Sequence, residues 1–119
     1  MASSPSILGV GIDIVELKRV KDIKELRRFA EFFLTSEELK AFANYNDKIT
    51  FIASRFALKE AVIKAFPGFL SPHDFRIAKR GVKPIVEFVA SANEAAYAAH
   101  VSMTHSVDYA AGYATIVAR

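Results

Sequence analysis

Hydrophobic positions change period twice along the chain. Over residues 7–15 they alternate: Leu8, Val10, Ile12 and Ile14 share one face, while Gly9, Gly11 and Asp13 share the other with Ile7 and Val15. This pattern predicts a strand with one apolar face. Interior glycines weaken a strand, so two of them leading to an aspartate predict that a backbone or a ligand comes close there. Asp22-Ile-Lys-Glu25 reads as a capping box, with Ile23, Leu26, Ala30 and Phe33 at helical spacing behind it. Thr35-Ser-Glu-Glu38 is a second box, opening a helix that carries Leu39, Phe42 and Ala43 to the turn-like Asn44-Tyr-Asn-Asp47. The longest helix is predicted over residues 48–66, stopped by Pro67-Gly68.

Beyond that helix the period returns to two. Phe75-Arg-Ile-Ala-Lys79 and Pro84-Ile-Val-Glu-Phe-Val89 read as strands joined through Arg80-Gly-Val-Lys83, and Ser91-Ala-Asn-Glu94 reads as the cap of a short alanine-rich helix. A last pair of strands is predicted over residues 100–107 and 109–118. Ala110, Gly112, Ala114 and Ala118 give the second one small face, which permits close approach, with a neighbouring subunit as one candidate. Helices and strands that follow one another without repeats or linkers predict an α+β fold with an antiparallel sheet and one long central helix. The expected organisation is a single domain over residues 1–119, with residues 1–6 a loose N-terminal extension.

Composition narrows the chemistry. The 119 residues include no cysteine, which removes disulfides and thiolate metal sites and favours a reducing compartment. No apolar run approaches the ~18 residues of a membrane span, and no export signal is recognisable, so the expectation is a cytoplasmic protein without a membrane partner. Sixteen Lys and Arg stand against thirteen Asp and Glu, but Lys18, Arg19, Lys21, Lys24, Arg27 and Arg28 crowd into residues 18–28. That cluster is either a solvated helix flank or a docking face for an acidic protein, a phosphate-rich ligand or nucleic acid. No aromatic residue interleaves the basic run before Phe29, which argues against nucleic acid as the partner.

Two carboxylates stand out. Asp13 in an apolar strand needs an edge or a cation. On the long helix Ile49, Ala53, Phe56 and Glu60 fall on one stripe, so Glu60 points towards the packed side. Lys64 lies one turn beyond Glu60, where an ordinary helical ion pair is the plain alternative to a functional role. Arg55 and Lys59 share an adjacent flank of the helix.

Three motifs occur in order: Gly-Ile-Asp-Ile-Val-Glu at 11–16, Arg-Phe-Ala-Leu-Lys-Glu-Ala at 55–61 with Lys64 following, and His-Val-Ser-Met-Thr-His-Ser at 100–106. Together they resemble the holo-acyl-carrier-protein synthase family of 4'-phosphopantetheinyl transferases, and the similarity runs from Leu8 to Val117. The resemblance implies a transferase that moves the phosphopantetheine arm of coenzyme A to a serine of apo-acyl carrier protein, in the setting of fatty acid and lipid biosynthesis. It implies Mg²⁺ held by Asp13 and Glu60, a hard ion that suits one or two carboxylates plus substrate phosphate oxygens. Carried over by position, Asp13, Glu60, Lys64 and His105 form the catalytic set. Arg55, Lys64, Lys83, Pro84, Thr104 and His105 line the coenzyme A site, and Lys18, Arg19, Lys24 and Arg28 dock the carrier protein. Glu60, a metal-bound water and His105 all remain open as acceptor of the serine proton. The family's homotrimer, with active sites between neighbours, is expected here too. The rival reading is a basic binding module without catalysis, for nucleic acid or an acidic protein. Two segments depart from the family pattern: Gly81-Val-Lys-Pro84 where Asn-Gly-Lys-Pro is usual, and Phe66-Pro-Gly-Phe-Leu-Ser-Pro72 in place of a glycine-rich loop.

Overall fold

The computed structural model describes residues 6–119, so of the loose extension expected over residues 1–6 only Ser6 falls within the described residues. The chain runs as β1 (Ile7–Glu16), α1 (Leu17–Lys21), α2 (Leu26–Glu31), α3 (Ser36–Asn44), α4 (Lys48–Ala65), a 3-10 turn (Pro72–Asp74), β2 (Phe75–Arg80), β3 (Lys83–Phe88), α5 (Ser91–Ala96), β4 (Tyr97–His105) and β5 (Tyr109–Ala118). Strands β1, β5 and β4 form an antiparallel sheet in that order, and β2 and β3 form a separate antiparallel hairpin. The α+β class and the long central helix expected from the sequence are both present.

Local chemistry explains the boundaries. Thr35 Oγ1 accepts from the Glu38 N–H at 3.3 Å while Glu38 Oε1 accepts from the Thr35 N–H at 2.8 Å, so the second capping box forms as predicted. Asp47 caps α4 by accepting from the Thr50 N–H at 3.1 Å. The first predicted box does not form. Val20 is buried and draws residues 17–21 into a helix directly after β1, which leaves Asp22 as its C-terminal cap, and α2 begins at Leu26 without a side-chain cap. Ser91 likewise falls inside α5, because Glu94 turns away to accept from the Phe88 N–H at 3.0 Å and to pair with Arg119 at 3.0 Å. Strand β4 begins earlier than expected and stops at His105, where Ser106 Oγ closes a tight turn by accepting from the N–H groups of Asp108 and Tyr109.

Helix α4 crosses the inner face of the three-stranded sheet, and small residues let it settle there. A side chain at Gly112 would sit 2.6 Å from both Cα and N of Leu58, and one at Gly11 or Gly9 would run into the carbonyl oxygens of Ala61 or Ala65. The backbone that approaches these glycines is therefore α4. The small face of β5, with Ala110 and Ala114 fully buried, is spent on the same contact and is not a subunit surface. The opposite, apolar face of β1 is the one left open: Val10 is 55% exposed, Ile12 67% and Ile14 65%, with Tyr113 of β5 beside Ile12.

Two clusters of core side chains share α4. One joins Leu58, Val62 and Ala65 to Leu70, Phe75, Phe88 and Ile116, and the other joins Phe51, Ile52 and Ala53 to Val20, Phe33, Leu34 and Phe42. Between them lies a buried ion pair that the sequence pattern did not reveal. Lys59 Nζ meets Glu38 Oε1 at 2.8 Å and donates to the carbonyls of Pro72 (2.6 Å) and Phe75 (2.8 Å), while Glu38 Oε2 accepts from the Ile77 N–H at 2.7 Å. All three ammonium donors are used, which is what makes a buried charge tolerable. Burial pushes the Lys59 pKa down, and Glu38 opposes that shift.

Candidate active site

Asp13 lies on the inner face of β1, opposite Gly112, on the side that packs against α4. Its Oδ1 accepts from Lys64 Nζ at 3.2 Å, and the same ammonium donates to the Ile12 carbonyl at 3.0 Å. The Glu60–Lys64 helical pair expected as the plain alternative is not formed, because Lys64 reaches across to the strand instead. Phe56 lines a cavity of 420 Å³ with Asp13, Glu16 and Arg19. Glu60 stands one helical turn from Phe56 and one turn from Lys64, and positions four apart share a helix face. Glu60 is not among the residues that line that cavity. Glu60 is partly buried and engages no hydrogen bond or ion pair among the described residues.

Arg55 occupies the other flank of α4. It is buried to 8% exposure, its guanidinium lies 4.6 Å over the Phe51 ring, and its Nη1 donates to Met103 Sδ at 3.5 Å. Desolvation lowers its pKa, with Glu38 acting in the opposite direction. Together with His105, Ser54, Lys79 and Tyr45 it lines a cavity of 180 Å³. His105 is exposed at the end of β4 and also borders a wider groove with Lys18, Asp47 and Asp108.

Asp13, Gly112 and Met103 stand in one register row across β1, β5 and β4. At ~4.8 Å per strand the two ends of that row are roughly 10 Å apart, and α4 lies over the middle of it. One chain thus brings Asp13 together with Lys64 and Arg19 on the β1 flank, with Glu60 one helical turn from Lys64, and Arg55 with His105 on the β4 flank. The two groups do not merge.

The remaining predicted residues scatter. Thr104 alternates with His105 and points to the opposite, outer face in the row of Ile14 and Ala111, so the two do not line one pocket within the chain. Pro84 pairs with Lys79 across the hairpin, near the Arg55 cavity, and Lys83 is exposed at the hairpin end. Lys18, Arg19, Lys24 and Arg28 are all exposed, though Arg28 pairs with Glu25 at 3.5 Å and Arg27 with Glu31 at 3.6 Å. Lys18, Arg19, Lys21 and Lys24 are the basic side chains of this run without an ion pair among the described residues. No group of three or more His, Asp or Glu side chains converges among the described residues. A metal here would need ligand oxygens beyond those two carboxylates, which is the usual manner of Mg²⁺.

Residues 9–115 match the model of the 4'-phosphopantetheinyl transferase superfamily. The holo-(acyl-carrier-protein) synthase of Listeria monocytogenes serotype 4a (strain HCC23) is 41% identical over 118 residues, covering 92% of this chain and 98% of that protein. The Bacillus subtilis (strain 168) synthase is 40% identical over 92% of this chain and 95% of its own length. This chain belongs to that synthase family. Among solved structures, the Bacillus anthracis str. Ames holo-(acyl-carrier-protein) synthase in complex with CoA (3',5'-ADP) superposes with a TM-score of 0.82 at 29% identity, covering 98% of this chain and all of that one.

Both departures from the synthase pattern have definite shapes. The hairpin closes through Gly81-Val82, with Gly81 at φ +64°, a left-handed turn that suits glycine. In the segment after α4, Gly68 adopts φ +125°, Leu70 is buried and Phe69 is 89% exposed. The sequence reading missed Ser54, Lys79 and Met103 around Arg55, as well as the Lys59–Glu38 pair. Glu38 could have been singled out as the acid of a strong capping box, but its second partner comes from a segment 39 residues further on.

Proposed function

We propose that this chain transfers the 4'-phosphopantetheine group of coenzyme A to a serine hydroxyl of apo-acyl carrier protein, releasing adenosine 3',5'-bisphosphate, with Mg²⁺ held by Asp13 and Glu60. The observation that carries the reading is the Asp13–Lys64 contact beside the open Glu60 carboxylate, in a chain of this family. Two carboxylates with free oxygen donors fit a hard divalent ion, and no soft ligand competes with them. When bound, the ion supplies neutralisation of the charge that develops on the transferring diphosphate. Lys64 is half exposed, so it can leave Asp13 for a phosphate oxygen without burying charge. The serine Oγ forms a bond to the phosphorus bearing pantetheine, the bond from that phosphorus to the bridging oxygen breaks, and the adenosine bisphosphate leaves with the electron pair. Glu60 is close to the reacting centre in this scheme and accepts the serine proton or orients its acceptor.

The assembly is a homotrimer of single-domain chains. Two features support copies of the chain as mutual partners: the open apolar stripe Val10, Ile12, Ile14 and Tyr113, and the separation of the Asp13 and Arg55 groups on opposite flanks of α4. Self-association would cover the stripe and could bring the β1 flank of one copy to the β4 flank of another. Arg19, on the rim of the Asp13 cavity, steers the acidic carrier protein together with Lys18 and Lys24. No helix among the described residues is long and apolar enough to cross a membrane. The enzyme's place in this reading is the cytoplasm, as expected of a cysteine-free chain without a recognisable export signal. The test is release of adenosine 3',5'-bisphosphate from coenzyme A and apo-carrier protein, with and without chelation of divalent metal. Activity that survives chelation removes the metal assignment, and no release with any apo-carrier protein overturns the reading.

A further inference from the structure

The outer face of the three-stranded sheet carries an ionisable ring in an otherwise uncharged setting. Two register rows cross its middle, Val10–Thr115–His100 and Ile12–Tyr113–Ser102, and alternation turns all six side chains outward. His100 is exposed in the single chain, two strands from the open apolar stripe of β1. Charged neighbours are few. Along β4 the next outward positions, Ser102 and Thr104, are neutral, and across β5 the Tyr113 hydroxyl accepts from Thr115 Oγ1 at 2.6 Å. On β1 the acid of this face is Glu16, at the far end opposite Tyr109. Strand β3 and helix α5 lie beside β4, but Glu87 is held by Arg76 at 2.9 Å and Glu94 by Arg119 at 3.0 Å, while Lys83 is an exposed cation. Arg55 and Lys79 approach β4 on its inner face, at Met103. Among the described residues no carboxylate is left to meet an imidazolium at His100.

We infer that His100 makes assembly of the chain pH-dependent: copies pack through the outer sheet face while the ring is neutral and part when it takes up a proton. This rests on the self-association through that face proposed above. Covering the face withdraws His100 from water. A neutral imidazole tolerates this where hydroxyl groups surround it, whereas an imidazolium without an acid is strongly disfavoured by desolvation. Histidine is the side chain that ordinarily changes charge between about pH 5 and pH 8. A free chain takes up the proton more readily than an assembled one, so assembly is complete above that range and weakens as the pH falls through it. Acid also silences the transferase, since its Asp13 and Arg55 groups come together between copies in the proposed trimer.

The experiment follows mass by light scattering over a dilution series, for the full-length wild type and His100→Gln, at about pH 8 and about pH 5.5. At about one pH unit below the ordinary histidine value of ~6.5, each ring that assembly keeps neutral weakens the assembly about tenfold. Three such rings lower the trimer association constant about 1,000-fold, which raises the concentration of half-dissociation about 30-fold in the wild type. In the Gln variant, which keeps the polar group and cannot take up the proton, it moves less than about threefold. A wild type that moves less than about threefold, or a Gln variant that moves as far as the wild type, overturns the switch and leaves the trimer standing. Acid unfolding would dissociate both proteins alike and so counts against the switch. A wild type that is monomeric even at about pH 8 overturns the trimer reading and the switch with it.

Discussion

Gly112 joins the fold to the site, and replacing it tests both. A Cβ at this position would stand 2.6 Å from Cα and N of Leu58 and 2.7 Å from the Ala57 carbonyl carbon, all of them backbone atoms that cannot swing aside. Restoring ordinary contact near 3.4 Å requires β5 and α4 to part by about 0.8 Å, and over-packing of this kind costs roughly 1–3 kcal/mol. For a chain of this length that lowers the melting temperature by roughly 5–15 °C. Gly112 is also the register partner of Asp13, so the same displacement shifts that carboxylate relative to Glu60, and a misplacement near 1 Å costs about 10²-fold in rate. Gly112→Ala is therefore expected to melt earlier by differential scanning fluorimetry, and at temperatures where it is still folded to lose about 100-fold in adenosine bisphosphate release. The control is Gly81→Ala. Nothing lies within 4 Å of a side chain there, so it loses only the ~1–2 kcal/mol of a left-handed residue. If Gly112→Ala melts within about 2 °C of wild type with full activity, the close approach of α4 to the sheet is not what fixes Asp13.

Four further outcomes follow from the same geometry. Lys59→Met leaves Glu38 buried without its ammonium and loses about 3–5 kcal/mol in urea titration; a loss below ~1 kcal/mol would mean that solvent enters that network. Lys64→Ala changes stability by less than ~1 kcal/mol, since its pair with Asp13 is half exposed; it lowers kcat/KM roughly 10²–10³-fold because a positioned cation is removed from the phosphoryl centre, and wild-type kinetics would refute that role. Ile12→Lys, at a position 67% exposed in the single chain, reduces the mass measured by light scattering from trimer to monomer and abolishes turnover; a trimeric variant would place the subunit contact elsewhere. Arg19→Glu lowers kcat/KM for the carrier protein at least ~10-fold at low salt and flattens its salt dependence, whereas an unaltered salt profile would exclude electrostatic steering at this residue.

What the sequence made legible was local. Alternation located β1, β2, β3 and β5, and the absence of glycine and proline between Asp47 and Pro67 located α4. The Thr35 box marked a true helix start because both of its bonds lie within four residues. The errors came where a longer-range contact competed. Asp22 and Ser91 sit in good local capping patterns, yet burial of Val20 and the diversion of Glu94 to Phe88 and Arg119 overrode them. The small face of β5 was recognised correctly as a surface of close approach, but alternation cannot name what approaches. The answer, α4, depends on the order β1-β5-β4, which sets Gly11 beside Ala114 and Asp13 beside Gly112 on one face.

The candidate site divides the same way. Asp13 demanded a cation by its own chemistry, and Lys64 answered from the helix, although a pair spanning 51 residues could not be read from spacing. Glu60 was placed on its stripe by periodicity alone. For Arg55 the motif named the residue but not its situation. Its burial, the thioether as its one bonded partner and the orphan hydroxyl of Ser54 beside it all arise from β4 and the hairpin folding against α4. The location of that cation also bears on assembly. A guanidinium withdrawn from water costs free energy unless an anion meets it, and here the acids that could meet a metal lie on the other flank of the same helix. A monomer holds each half in an unfinished electrostatic state: among the described residues Arg55 has no paired carboxylate and Glu60 no paired cation. In the proposed trimer, a cofactor with a diphosphate at one end and a phosphate monoester at the other satisfies both by lying between chains. Coenzyme A binding and self-association should therefore be linked, each strengthening the other.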